Sequence, residues 1–248
     1  LFPFAGRVWS GGRKGYYKVE GDPAVRMIPI HGFAYQKSFA VKDAGDDYCN
    51  LSLYSNDDTL AMYPFRFELL VDIELLVSKV HFSVTIRNLG HLDDLADMPV
   101  AMGWHPYFTL PFGYDPNPQL DDYLLDVECS SFIKVTPDGL AGATVTPSPG
   151  HLYPLGSPAW HNLILAGLKK PEVRLCHRKL EQAVHLSWSE TDFSYVVLWA
   201  KPDQGFFCVE PWQGLPDAIH SGHGLVQLPV GEAITTRFTI ALEAYFPR

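Results

Sequence analysis

Two short stretches set titratable side chains inside apolar, aromatic sequence. The first is Met102-Gly103-Trp104-His105-Pro106-Tyr107-Phe108-Thr109-Leu110, and the second is Phe206-Phe207-Cys208-Val209-Glu210-Pro211-Trp212-Gln213-Gly214. A glutamate directly after Phe-Phe-Cys-Val is costly if it points unpaired into a core, because a buried charge needs hydrogen bonds, a cation or a solvent-filled pocket. His105 stands under the same constraint, between Trp104 and Pro106-Tyr107-Phe108. Brought together, a carboxylate and an imidazolium can serve as general base and general acid. Aromatic walls suit a sugar, whose C–H faces are apolar while its hydroxyls need polar partners. Residue types alone leave a second reading open, in which Glu210 pairs with an arginine and His105 is satisfied inside the fold.

The run GWHPYFTLP resembles the His-Pro-Tyr-Phe motif of the aldose 1-epimerases, the galactose mutarotase-like family. VEPWQGLPDAIHSGHGLVQLPVGE is similar to their C-terminal block, in which Glu-Pro-Trp precedes a Pro-Asp-Ala turn and a Gly-Leu strand ending in Pro-x-Gly-Glu. FPFAGRV resembles the family's early Pro-Tyr/Phe-x-Gly-Arg segment, and Ile30-His31-Gly32-Phe33 its His-Gly segment. These blocks run in family order from residue 2 to about residue 232. The resemblance implies a large antiparallel β-sandwich with the sugar in an open cleft across one sheet. It also implies interconversion of the α and β anomers of a free hexose, with no metal and no organic cofactor. Residue by residue, it makes Glu210 the base and His105 the acid. Arg7 and His31 become contacts to sugar hydroxyls or the ring, and Trp212 a further substrate contact.

One segment departs from the family pattern. Family members often carry an acidic residue a few positions before a Gly-Leu pair, where it holds sugar hydroxyls. Here Trp160-His161-Asn162-Leu163-Ile164-Leu165-Ala166-Gly167-Leu168 offers Asn162 as the nearest match. An amide still accepts and donates hydrogen bonds, but it binds hydroxyls less tightly than a charged group. The departure bears on which sugar is preferred. Family members also carry strands ahead of the Arg7 segment, so the chain is expected to lack N-terminal strands. The implied chemistry needs Glu210 ionised and His105 charged. Free values of about 4.3 and about 6.5 leave histidine mostly neutral at pH 7. A carboxylate beside it favours the imidazolium, so the expected state is an ion pair.

Side chains so far apart in sequence need a framework to bring them together. Twenty prolines and twenty glycines punctuate the chain too often for long helices. Between them, Phe65 to Leu69, Val80 to Arg87 and Arg237 to Ala244 place apolar residues at every second position, the period of a half-buried strand. Tyr195 to Ala200 and Phe206 to Val209 are further β-rich runs. Many short strands between turn signals predict an all-β fold of two packed antiparallel sheets. Thr136 to Pro158 is Pro- and Gly-rich and nearly uncharged, and reads as a long surface loop with room for a short strand. Strand signals continue on both sides of it, so residues 1–248 read as one domain.

Composition narrows the partners. A formal net charge of −9 argues against nucleic acid or an acidic membrane surface, since phosphate binding needs Lys and Arg clusters. The uncharged run from Met98 to Tyr114 is broken by Pro99, Pro106 and Pro111, which argues against a membrane span. Cys49, Cys129, Cys176 and Cys208 lack metal or redox spacing and read as free thiols of a reducing, cytoplasmic compartment. Oligomeric state is not legible. His220-Ser221-Gly222-His223 lacks a third ligand at zinc spacing. The acidic pairs Asp46-Asp47, Asp93-Asp94 and Asp121-Asp122 read as solvated loop residues. Two rival functions stay open. A hexose-6-phosphate 1-epimerase would need a cationic cluster, for which Arg13, Lys14, Lys18 and Arg26 stand close to Arg7. A non-catalytic carbohydrate-binding protein would keep the aromatic cleft without the acid–base pair.

Overall fold

The computed structural model describes residues 1–91, 97–110, 112, 119–156, 162–201 and 205–245. Asp93-Asp94, Pro111, Tyr114, Pro158, Trp160 and His161, all named above, lie outside the described residues.

Each alternating run forms a strand. Phe65–Leu76, Lys79–His91, Ala233–Ala244, Tyr195–Lys201 and Phe206–Trp212 all extend the stretches where apolar residues recur at period two. Two large antiparallel sheets result. The nine-stranded sheet runs, edge to edge, Leu152–Pro154, Tyr123–Asp126, Glu172–His177, Gln182–Trp188, Ala233–Ala244, Lys79–His91, Phe65–Leu76, Tyr48–Tyr54 and Ala40–Ala44. The six-stranded sheet runs Tyr107–Thr109, Phe206–Trp212, Tyr195–Lys201, Leu163–Leu168, Cys129–Val135 and Ala141–Pro147.

Alternation decides what lies between them. Phe65, Phe67, Leu69, Val84, Ile86 and Phe238 of the larger sheet share one buried cluster with Leu163, Leu165, Val196, Leu198, Phe207 and Val209 of the smaller. The sheets therefore pack face to face, as expected for a β-sandwich. The opposite face of the six-stranded sheet presents Glu210, Val197 and Ile164, which are adjacent across neighbouring strands.

The N-terminal run extends the smaller sheet on its Tyr107 side. Gly103 bridges Trp212, Phe4 bridges Ala101 and Phe2 bridges Gly32. Ala5 N–H donates to Ala101 O (2.6 Å) and Ala101 N–H to Pro3 O (2.9 Å). Gly32 is required where this run meets the next. Its φ is +74°, and a Cβ there would stand 2.0 Å from Phe2 O.

The stretch from Thr136 onward, expected as a loop with room for one short strand, carries more strand than that. It holds the strand Ala141–Pro147 and, further on, Leu152–Pro154. Ala141–Pro147 pairs only with Cys129–Val135, at the sheet edge, and is mostly exposed. An edge strand needs no apolar alternation and tolerates Gly and Pro, so its pattern resembles a loop. Asp122 also departs from the solvated reading, since it accepts from Lys179 Nζ at 2.5 Å. Among the described residues, no helix is long and apolar enough to cross a membrane.

Candidate active site

Strand register creates the site. Tyr107 is paired with Cys208 and Gly103 with Trp212, while Trp104 N–H donates to Pro211 O at 2.9 Å. Between these anchors His105 falls opposite Glu210, with Nε2 3.4 Å from Oε1. On the other side of the Glu210 strand, Val197 pairs with Glu210 and Trp199 with Cys208. Ile164 lies opposite Val197, and Asn162 stands just before that strand, in the left-handed region at φ +54°.

The N-terminal run brings its residues in from the far side. Gly6 N–H donates to His31 Nδ1 (3.1 Å), and His31 N–H returns a bond to Gly6 O (2.8 Å). An accepting Nδ1 puts the proton of the neutral ring on Nε2. His31 holds this position with φ +66°, in the left-handed region. Its ring meets His105 edge-on at 5.4 Å and Trp212 at 5.6 Å. Trp212 is buried and closely fitted, since a Cβ on Gly103 would approach its Cδ1 to 2.6 Å and one on Gly6 its Cζ3 to 2.9 Å. It is a wall behind the site more than an exposed stacking surface.

Arg7, His31, His105, Asn162, Glu210 and Trp212 all line one cleft of about 660 Å³, within the range of about 300–1,000 Å³ usual for small-molecule sites. Among the described residues no carboxylate pairs with Arg7, so its guanidinium is free to meet a ligand in the cleft. Sequence reasoning passed over several lining residues. Tyr107 and Trp199 stand beside His105, and Thr136, Pro137 and Gly139 form a turn at the rim. Tyr107 lies inside the His-Pro-Tyr-Phe motif, and that was the available signal. Trp199 had none beyond its strand.

The charge state differs from the ion-pair expectation. Glu210 is 1% exposed, and burial raises its carboxyl well above the usual range. The Trp212 indole N–H is near enough to pull it down, yet it falls outside hydrogen-bond geometry. Burial also lowers His105 to about 4. Burial opposes the charged form of each partner and so favours carboxylic acid and neutral imidazole over the ion pair. The proton count is that of the ion pair, with the proton on the other partner. His31 is lowered to about 3, by burial first and then by the neighbouring His105 and Arg7. Glu210 Oε2 is buried without a hydrogen-bond partner, and such an atom marks where a polar ligand fits.

Other features do not compete with this site. His105, Cys208 and Glu210 bring one donor atom each within 4.8 Å of one another, which is close enough to hold a metal ion. Burial pushes the Cys208 thiol up, which disfavours the thiolate a metal would need. His220 is occupied, with Nδ1 2.7 Å from Asp217 Oδ1 and Nε2 accepting from Lys18 N–H. A broader depression of about 740 Å³ lies on the outer face of the nine-stranded sheet. Its polar groups bond one another, Asn50 to Asp72 and His81 to Thr239.

The family model for aldose 1-epimerase matches residues 1–241. No curated protein matches the chain. Among solved structures, the chain is similar to a galactose mutarotase related enzyme from Lactobacillus acidophilus, with 23% identity and a TM-score of 0.81 over 98% of this chain and 82% of that one. A galactose mutarotase-like protein from Lactobacillus casei gives 24% identity and a TM-score of 0.78 over 97% and 83%. An aldose epimerase homologue from C. elegans gives 12% and 0.71 over 98% and 81%. At these identities the structures establish the fold.

Proposed function

Because the chain belongs to the aldose 1-epimerase family, we propose that it interconverts the α and β anomers of a free hexose, with Glu210 and His105 as its acid–base pair. The observation that carries this reading is the 3.4 Å approach of His105 Nε2 to Glu210 Oε1 inside the cleft. Each group is then within reach of one of the two oxygens on an anomeric carbon.

The proton that burial leaves on Glu210 first passes to His105 across their 3.4 Å contact. In the forward step Glu210 then takes the proton from O1 while His105 gives one to O5. The C1–O5 bond breaks, and the electron pair of the O1–H bond becomes the aldehyde π bond. A half turn about C1–C2 presents the other face to O5, which attacks C1 and returns its proton to His105 as Glu210 reprotonates O1. Nothing is consumed. Ring opening leaves Glu210 as the acid and His105 neutral, the pairing that burial favours. That is also the protonation burial favours before ring opening, so the pair is regenerated, ready for ring closure, at the open-chain stage. Arg7, Asn162 and the Nε2–H of His31 supply polar partners for the remaining hydroxyls.

The phosphorylated rival finds little support. Lys14 pairs with Asp138 at 3.0 Å, Arg26 with Asp22 at 2.7 Å, and Arg13 lies over the Tyr16 ring at 4.1 Å. Of the basic residues considered, Arg7 alone lines the cleft. The juxtaposed acid and base count against a protein that only binds sugar. We read the two sheets, joined by one buried cluster, as one domain, and the free thiols as suited to the cytoplasm. Polarimetry over a panel of free aldoses and their 6-phosphates tests the reading. Acceleration of a free hexose is expected. Turnover of phosphates alone selects the rival, and no acceleration of any sugar refutes both.

A further inference from the structure

A histidine that moves protons must be held in one orientation, and the usual device is a hydrogen bond on the nitrogen facing away from the chemistry. His105 lacks it. Its Nδ1 is buried without a partner of acceptable geometry, and only the residue's own backbone lies close enough to support its basicity. Three aromatic rings surround the imidazole instead. His31 and Trp199 meet it edge-on, with centroids at 5.4 and 5.8 Å. Tyr107 lies parallel to it, at 4.8 Å and 7°.

We propose that Tyr107 is the positioning residue for His105, its ring face fixing the imidazole plane in place of the missing hydrogen bond. Edge contacts let a ring slide or rock, whereas a parallel face restrains it against tilting. Tyr107 is itself anchored. Its backbone pairs with Cys208, and its ring packs on Phe206 (5.1 Å) and Trp199 (6.0 Å). The arrangement also acts on charge. The negative face of an aromatic ring favours a cation over a neutral group, so the stack offsets part of the burial that opposes the imidazolium. The other titratable or charged groups around His105 are Glu210 and Cys208 on the paired strand, and His31 and Arg7 on the N-terminal run.

The inference rests on His105 being the acid of the proposed epimerase. Its test compares Tyr107→Leu, which covers His105 without a flat face, with Tyr107→Phe, which keeps the ring and drops the hydroxyl. Tyr107 is 57% exposed, so neither change threatens the fold. In Tyr107→Leu, kcat is expected to fall about 10- to 100-fold, as for a misaligned group, with KM little changed. The acidic limb of the pH–rate profile, set by protonation of His105, moves down by about half to one unit. Tyr107→Phe restores both. Proton NMR of the unliganded protein reads the stack directly, as an upfield ring-current shift of the His105 ring protons that Phe keeps and Leu loses. Wild-type kcat and an unmoved acidic limb in Tyr107→Leu overturn the proposal, as does an equal loss in Leu and Phe, which would assign the role to the hydroxyl. If the wild type turns over no sugar, the function falls, and NMR alone decides the stack: loss of the shift in Leu sustains it, and an unchanged spectrum overturns it.

Discussion

Glu210 is a carboxyl the fold keeps from water, and its protonation follows from that before any substrate arrives. Glu210→Gln exchanges one neutral group for another of nearly equal shape. Stability should change by less than about 1 kcal/mol, while mutarotation falls about 10²- to 10⁴-fold. Polarimetry and urea unfolding of the same preparation check both. The pair carries one mobile proton between the His105 value of about 4 and the raised Glu210 value. The plot of kcat/KM against pH is therefore expected to show an acidic limb near 4 and a plateau across neutral pH. Its alkaline limb should lie above the ordinary carboxylate range. An alkaline limb at an ordinary glutamate value would contradict the buried-pair account. Because Glu210 is already neutral when His105 takes its proton, the His105 titration should be nearly the same in Glu210→Gln. An ionised pair would instead have moved it by about one unit. Asn162 allows a separate test. Asn162→Asp is expected to lower KM for at least one aldose by about three- to tenfold with kcat little altered, since a charged acceptor binds hydroxyls more tightly in ground and transition states alike. Unchanged kinetics across the panel would remove Asn162 from the sugar site.

At the level of elements, the site depends on two parallel bridges outside the regular strands, Phe2 with Gly32 and Phe4 with Ala101. They bring Arg7 and His31 to the edge where His105 stands. Gly32→Ala would force a side chain at φ +74° with its Cβ 2.0 Å from Phe2 O. The backbone must shift, at a cost of about 2 kcal/mol or more, and the shift displaces His31 as well. Chemical denaturation should show the lower midpoint, with a loss of activity beside it. Gly150→Ala is the control, because a Cβ at that position would meet nothing within 4 Å, and it should change little. Equal stability of the two variants would mean that the junction yields more easily than its geometry implies.

For the molecule as a whole, His31 makes stability sensitive to acid. Its value is about 6.5 unfolded and about 3 folded, so the unfolded chain binds a proton across that interval that the native protein refuses. Stability from this group is complete above about pH 6.5 and is lost as pH falls toward about 3, by up to about 1.4 kcal/mol per pH unit. The Glu210–His105 pair adds no slope between about 4.5 and 6.5, where folded and unfolded forms each hold one proton. Urea titrations at about pH 6.5 and about pH 5 should show the wild type losing more stability than His31→Gln, and parallel losses would exclude His31 as the sensor. The sequence by itself determined the strands, because period-two alternation is local and one buried face forces it. It also carried Glu210 and His105, whose titratable groups stood out against apolar neighbours. The bounds and full length of Ala141–Pro147 were not legible, since an edge strand facing water carries little apolar signal. Tyr107 and Trp199 gave no hint of their stacking, because aromatics are equally at home in a core. The protonation of the pair was decided by tertiary structure alone. Residue types suggest attraction between opposite charges, but only packing fixes how much water each charge must lose, and here that loss pushes both groups toward their neutral forms.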